Sequence, residues 1–344
     1  MGHRVEQAPG AAGVDLGPLA QRARRSLGGE HPGETGIVLP PFIDHHVHLE
    51  LFEPDHLATG GIAAVVDLGA NPSVVARFAA RGALPHVRFA GQFLTAPGGY
   101  PAGRSWLPDG ALREVHLAGI GGPPGRGSGP EEVTRAVDEQ VRFGASVIKV
   151  VLHTAGPVFD HATLDAIRRA ARRHGRPVAV HAEGRGSAEL AIDADVDVLV
   201  HTPWTEELPP AVVRRAARAG QAWISTLDIH RHGGPTTDAG RALTNLTRFH
   251  EAGGRVLYGT DLGNGALPVG VNARELGALL RAGLSADAVL AALTDPWPCA
   301  ERSSWTTDGL ATFVAGTPTS ADALPDWLAT ARVLPVEDLE TIDP

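Results

Sequence analysis

The chain has 344 residues, 43% of them hydrophobic and 20% charged, and a net charge of −9. That length holds one large α/β barrel or two ordinary domains, and no apolar run approaches the roughly 18–20 residues of a membrane span. The acidic balance with scattered arginines leaves no footprint for nucleic acid, and a single cysteine, Cys299, excludes an internal disulfide framework.

Residues 1–25 lack the apolar core of a secretory signal. With a lone cysteine, which fits a reducing compartment, the expected location is cytoplasmic. From there, short apolar, β-branched runs alternate with Ala/Arg/Leu-rich helical patterns, as repeated βα units do. Strands are expected at 36–48, 61–68, 87–94, 146–152, 177–181, 196–201, 222–227 and 256–260. Helices are expected at 71–81, 131–143, 160–174, 209–219, 239–252, 272–282 and 285–293. Gly220, Gly253, Gly254 and Gly283 stand where helix stops belong. Eight strands over about 230 residues fit an α/β fold of the (β/α)8 TIM-barrel type better than an open doubly wound sheet. No Gly-x-Gly-x-x-Gly or P-loop stands in a nucleotide-binding context.

Three parts follow: an N-terminal segment 1–35, a barrel 36–296, and a C-terminal appendage 297–344. The appendage carries a strand near 311–315 and a helix near 324–331, so it reads as a short terminal addition or a reduced, partial β-sandwich. Residues 95–129 are Gly/Pro-rich, and so long a connection reads as a lid or a substrate wall.

The chemistry gathers at strand ends. His46 and His48 stand at i and i+2, so they share a face while His45 points away. Two such imidazoles can share one ion, and Zn²⁺ suits them. Lys149, His181, His201 and Asp261 each end or follow an apolar strand run, which in a barrel places them at the C-terminal mouth. Any one of them alone reads as an ordinary strand-end polar residue. Their joint occurrence on strands one, four, five, six and eight is the stronger signal. Lys149 is the sole lysine beside 29 arginines. Arginine does not lose its proton in a protein, whereas a desolvated lysine can become a neutral amine.

That order resembles the amidohydrolase superfamily in its binuclear form, with a lysine on strand four, over residues 38–296. The likeness is greatest to the imidazolonepropionase-like and Xaa-Pro dipeptidase-like branch. Its segments are Gly61-Ile-Ala-Ala-Val-Val-Asp-Leu-Gly69, Leu94-Thr-Ala-Pro-Gly-Gly-Tyr100, His181-Ala-Glu-Gly and Val196-Asp-Val-Leu-Val-His201. Gly259-Thr-Asp-Leu-Gly, Arg274-Glu-Leu and Ala291-Ala-Leu-Thr-Asp-Pro296 continue it. The chain departs from the branch at Tyr100, where Gly-Gly-His is common, and in its final segment. Because only about 36 residues precede the first barrel strand, the β-sandwich that relatives build from both termini is expected to be largely missing.

The resemblance implies two divalent ions, most simply Zn²⁺. His46, His48 and Asp261 would hold the buried ion, and His181 and His201 the exposed one. Lys149, carbamylated by CO₂, would bridge them. A hydroxide shared by the metals would attack, and Asp261 would return its proton to the leaving nitrogen. The expected activity is metal-dependent cleavage of an amide C–N bond in a peptide-like or acyl-amino-acid substrate.

Alternatives within hydrolysis are a lactone, ester, cyclic amide or amidine, or a pathway-specific step in peptide natural-product biosynthesis of the bottromycin type. Lys149 weighs against a mononuclear deaminase, and the full ligand set weighs against a non-catalytic barrel. Tyr100, His153, Trp204, His230 and Arg231 are candidate substrate contacts, with His232 beside them. Arg231 has the planar fork that suits a carboxylate. The expected partner is a small-molecule or peptide substrate, with no nucleic acid and no membrane, and a homo-oligomer is left open.

Overall fold

Parallel strands and their crossover helices make up most of the computed structural model, which describes residues 14–116, 129–231, 234–300, 305, 307 and 309–342. One parallel sheet has three strands, in the order Phe42–Val47, Ile62–Asp67, His86–Phe89. The other has seven, in the order Arg255–Leu257, Ala222–Ile224, Val198–Leu199, Val178–Glu183, Ile148–His153, Phe93–Thr95, Leu112–Glu114. Backbone hydrogen bonds join both edges of the three-stranded sheet to the larger one. On one side Ser146 donates to Phe89 at 2.9 Å. On the other, His45 donates to Tyr258 (3.0 Å), Asp261 to His46 (2.8 Å) and His48 to Leu262 (2.8 Å).

Helices cross between most successive strands, and four of them start at a side-chain cap. Asn71, Asp160, Thr236 and Asn272 each accept a backbone N–H one turn into the helices Pro72–Ala80, His161–Arg172, Thr237–Glu251 and Ala273–Arg281. Strand alternation then sorts the side chains. Ile148, Val150 and Leu152 join the main core cluster, as do Val178, Val180 and Ala182. The intervening Lys149, Val151 and His153, and likewise Ala179, His181 and Glu183, face the other way. No helix among the described residues is long and apolar enough to cross a membrane.

Two expected strands divide in the structure. The run 36–48 is two strands, Thr35–Leu39 and Phe42–Val47, in different sheets. Pro40 and Pro41 lie between them, and neither can donate to a ladder. The run 87–94 splits into His86–Phe89 and Phe93–Thr95. Gly91 turns there at φ 80°, and Gln92 is tied to the helix Pro130–Arg142 through Gln140.

The terminal segments also do more than their length suggests. Gln21–Arg25 and Thr35–Leu39 join Leu310–Ala315, Arg332–Pro335 and Leu339–Thr341 in a five-stranded antiparallel sheet. This single sheet, built from strands of three to six residues, fits the short terminal addition expected there. Gly36 is required within it: a Cβ there would lie 2.2 Å from the Val314 carbonyl oxygen. The helix expected at 324–331 is present as Leu324–Leu328. Within 95–129, Leu112–Glu114 adds a strand to the seven-stranded sheet, while residues 117–128 of the expected lid lie outside the described residues.

Candidate active site

The strand Phe42–Val47 runs into His48 and carries the first cluster. His46 Nδ1 lies 2.9 Å from the Val200 carbonyl and His48 Nδ1 lies 3.0 Å from that of Gly69. A carbonyl can only accept, so both Nδ1 atoms are protonated in the neutral rings, and each Nε2 keeps its lone pair. Those two Nε2 atoms lie 3.3 Å and 3.2 Å from one oxygen, Asp261 Oδ1. His46 Nε2 is buried without a hydrogen bond. Burial holds the His46 pKa well below its usual value, against the pull of Asp261. His48 is raised, because Asp261 outweighs its desolvation. Burial pushes the Asp261 carboxyl up, but His46, His48 and His201 together hold it well below the carboxylate range. Two imidazole lone pairs and a carboxylate converging on one point form a donor set that fits a divalent cation, Zn²⁺ included.

The backbone under this cluster is braced. Asp261 adopts the left-handed region at φ 61°, where non-glycine residues are uncommon. Asn264 Nδ2 donates to its Oδ2 at 3.0 Å. His45 turns away, its ring nitrogens bonded to the carbonyls of Tyr258 and Asp295.

Lys149 is 1% exposed and lies over the Phe93 ring at 6.0 Å. Burial lowers its pKa to about 7, against Asp261 and Asp67, which favour the charged form. A substantial share of this amine is therefore neutral at neutral pH.

On the outer side, His201 Nδ1 lies 2.9 Å from Thr226 Oγ1, and its ring stands 4.6 Å from His46 and 5.0 Å from His181. Thr226 is β-branched yet sits at φ 41°. His181 Nε2 lies 3.1 Å from Glu183 Oε2, and His153 Nδ1 lies 3.1 Å from that same oxygen. Tyr100 covers both rings, at 4.7 Å from His153 and 5.6 Å from His181. Burial pushes the Tyr100 hydroxyl up to about 12, so it stays protonated and able to donate. Trp204 meets His181 and His201 edge-on and stacks on His230 at 4.5 Å.

His46, His48, Tyr100, Lys149, His181, His201 and Asp261 thus line a single cavity of about 330 Å³, walled by Phe93 and Trp106. Arg231 lines a neighbouring cavity of about 510 Å³, which meets the first at Asn264 and Gly265. Arg274 shares that second cavity but is engaged by Asp228 at 2.9 Å. His232 lies outside the described residues. Sequence reasoning missed Glu183, Thr226, Phe93 and Trp106. Glu183 had a signal, since it stands two residues beyond His181 on the same strand face.

No family model matches the chain, and no curated protein matches it. Solved structures do resemble it. A Xaa-Pro dipeptidase with methionine bound in its active site shares 18% identity at TM-score 0.61, over 89% of this chain and 87% of that one. The ochratoxinase of A. niger shares 22% at TM-score 0.63, over 86% and 80%. A bottromycin amidohydrolase shares 18% at TM-score 0.58, over 94% and 87%. At these identities the likeness is one of fold: the chain has the fold of solved amidohydrolase and dipeptidase structures.

Proposed function

We propose that this chain is a metal-dependent amidohydrolase that cleaves an amide C–N bond of a peptide-like or acyl-amino-acid substrate. In this reading the two parallel sheets close as a (β/α)8 barrel. The backbone bonds from residues 45–48 to residues 258–262 support that closure. The observation that carries the function is the His46–His48–Asp261 cluster, with a buried, unbonded imidazole nitrogen facing a carboxylate, beside an uncharged-prone lysine.

His46, His48 and Asp261 would hold one divalent ion, and His181 and His201 a second. Such ions, Zn²⁺ for choice, supply Lewis acidity and lower the pKa of water to about 7 in favourable sites. Lys149 suits carbamylation: its neutral amine attacks CO₂, one proton is released, and the product is an anionic oxygen donor between the clusters. Asp261, kept ionised, can accept a proton at Oδ2 and pass it to the leaving nitrogen. Phe93, Trp106 and Tyr100 would exclude water around an apolar acyl group or side chain, with Trp204 and His230 stacked beside them. Arg231, in the adjoining cavity, would pair with the substrate's carboxylate. His153 is the remaining candidate contact, under Tyr100.

The test is a panel of dipeptides and N-acyl-amino acids offered to Zn²⁺- or Mn²⁺-loaded protein, with amine release measured. Turnover of at least one amide is expected. If lactones are hydrolysed and no amide is, the C–N reading fails.

A further inference from the structure

His153, His181 and Glu183 form a second cluster with the same arrangement as the first. In each, one carboxylate oxygen faces two imidazole nitrogens: 3.3 and 3.2 Å at Asp261, and 3.1 and 3.1 Å at Glu183. The strand register builds it. His153 pairs directly with Glu183 and Val151 with His181 across the parallel ladder, so all three ligating side chains rise from one face. Their donor atoms lie within 4.8 Å of one another.

Alignment separates a cation cluster from a hydrogen-bonded one. Ligands of one ion point at the ion and not at each other. With bonds of about 2.0–2.2 Å, two ligands of a tetrahedral ion stand about 3.3–3.6 Å apart, and closer as the angle narrows. A hydrogen bond needs the N–H to run along the N···O line. His181 Nε2 is hydrogen-bonded to Glu183 Oε2 at 3.1 Å, whereas His153 Nδ1, buried and 3.1 Å from the same oxygen, makes no hydrogen bond. His46 Nε2 does the same in the first cluster.

We propose that His153 and Glu183 are ligands of the outer divalent cation, which they hold together with His181. This rests on the two-metal reading above and changes its outer ligand set. Together with His201, the outer ion then has three imidazoles and one carboxylate, a borderline combination suited to Zn²⁺. Tyr100 caps the outer set, stacked on His181 and tilted against His153.

The test measures Zn²⁺ content by elemental analysis and Zn²⁺ affinity by competition with a chelating dye. Wild type is compared with Glu183→Gln and His153→Asn, with folding followed by circular dichroism. Wild type is expected to bind two ions. Each variant is expected to keep one tightly and to lose affinity for the other by more than the roughly 10–100-fold that loss of an outer partner costs. Loss within or below that range in both folded variants overturns the ligand assignment and leaves the hydrolase reading standing. Wild type that binds no divalent ion overturns both. Cobalt substitution gives a second readout: the visible absorption assigned to the outer ion should vanish in Glu183→Gln and persist in His48→Asn.

Discussion

Asp44 locks Thr260 across the seam between the first and last parallel strands. Its Oδ2 accepts the Thr260 hydroxyl at 2.6 Å, and its Oδ1 accepts the backbone N–H groups of Thr260 and His46 at 3.1 Å each. The residues flanking this clamp, His46 and Asp261, supply the first cluster. Asp44→Ala would strand three buried donors, at about 1–3 kcal/mol each where water cannot reach them. The expected result is an unfolding free energy lowered by about 3 kcal/mol or more. Thr260→Val, which removes the hydroxyl's bond to Asp44 and its acceptance of the Leu262 N–H, should cost about 1–3 kcal/mol. Equal stability of Asp44→Ala and wild type would show that the clamp bears no strain.

Lys149→Arg tests the lysine. Arginine cannot become a neutral amine, so it cannot add CO₂. Turnover should fall at least about 100-fold, and the carbamate carbon signal seen in wild type labelled with ¹³C-bicarbonate should be absent from the variant. Full activity in Lys149→Arg with normal metal content would remove the carbamate from the account.

Thr226 holds His201 Nδ1 at the cost of a left-handed backbone. Thr226→Val keeps the shape and loses the hydroxyl, whereas Thr226→Ser keeps the hydroxyl. A loss of about 10–100-fold in metal affinity or kcat is expected for Val, with Ser near wild type. Equal behaviour of the two would mean that the hydroxyl does not orient the ring.

Glu275 gives a pH prediction remote from the cavity. It accepts the backbone N–H groups of Leu227 and Asp228, and burial raises its pKa from 4.5 to about 7. The folded state therefore keeps this proton over a range where the unfolded chain has lost it. Its contribution is complete below pH 4.5 and declines as pH rises to 7, by on the order of 3 kcal/mol. Urea midpoints at pH 5 and 7.5 should differ more in wild type than in Glu275→Gln. Parallel pH profiles would contradict this.

Much of the site is legible in the sequence because the strand period is short. His46 and His48 share a face by alternation alone, and Lys149, His181, His201 and Asp261 all close or follow apolar runs. What escapes is long-range or disguised. Gly36 pairs with Ala315 across the terminal sheet, a contact with no local pattern to reveal it. The Pro40–Pro41 break is visible, but the change of sheet it permits is not. Glu183 looks like any exposed acid until the register sets it opposite His153. Arg231 ends a short 3-10 helix, Asp228–Arg231, and lines the adjoining cavity.

The most direct measurement is amide turnover by the Zn²⁺-loaded chain before and after chelation, with Asp261→Asn beside it. Turnover should vanish on chelation, return on adding Zn²⁺, and be nearly absent in Asp261→Asn. Chelator-insensitive cleavage, or an Asp261→Asn variant as fast as wild type, would contradict the account.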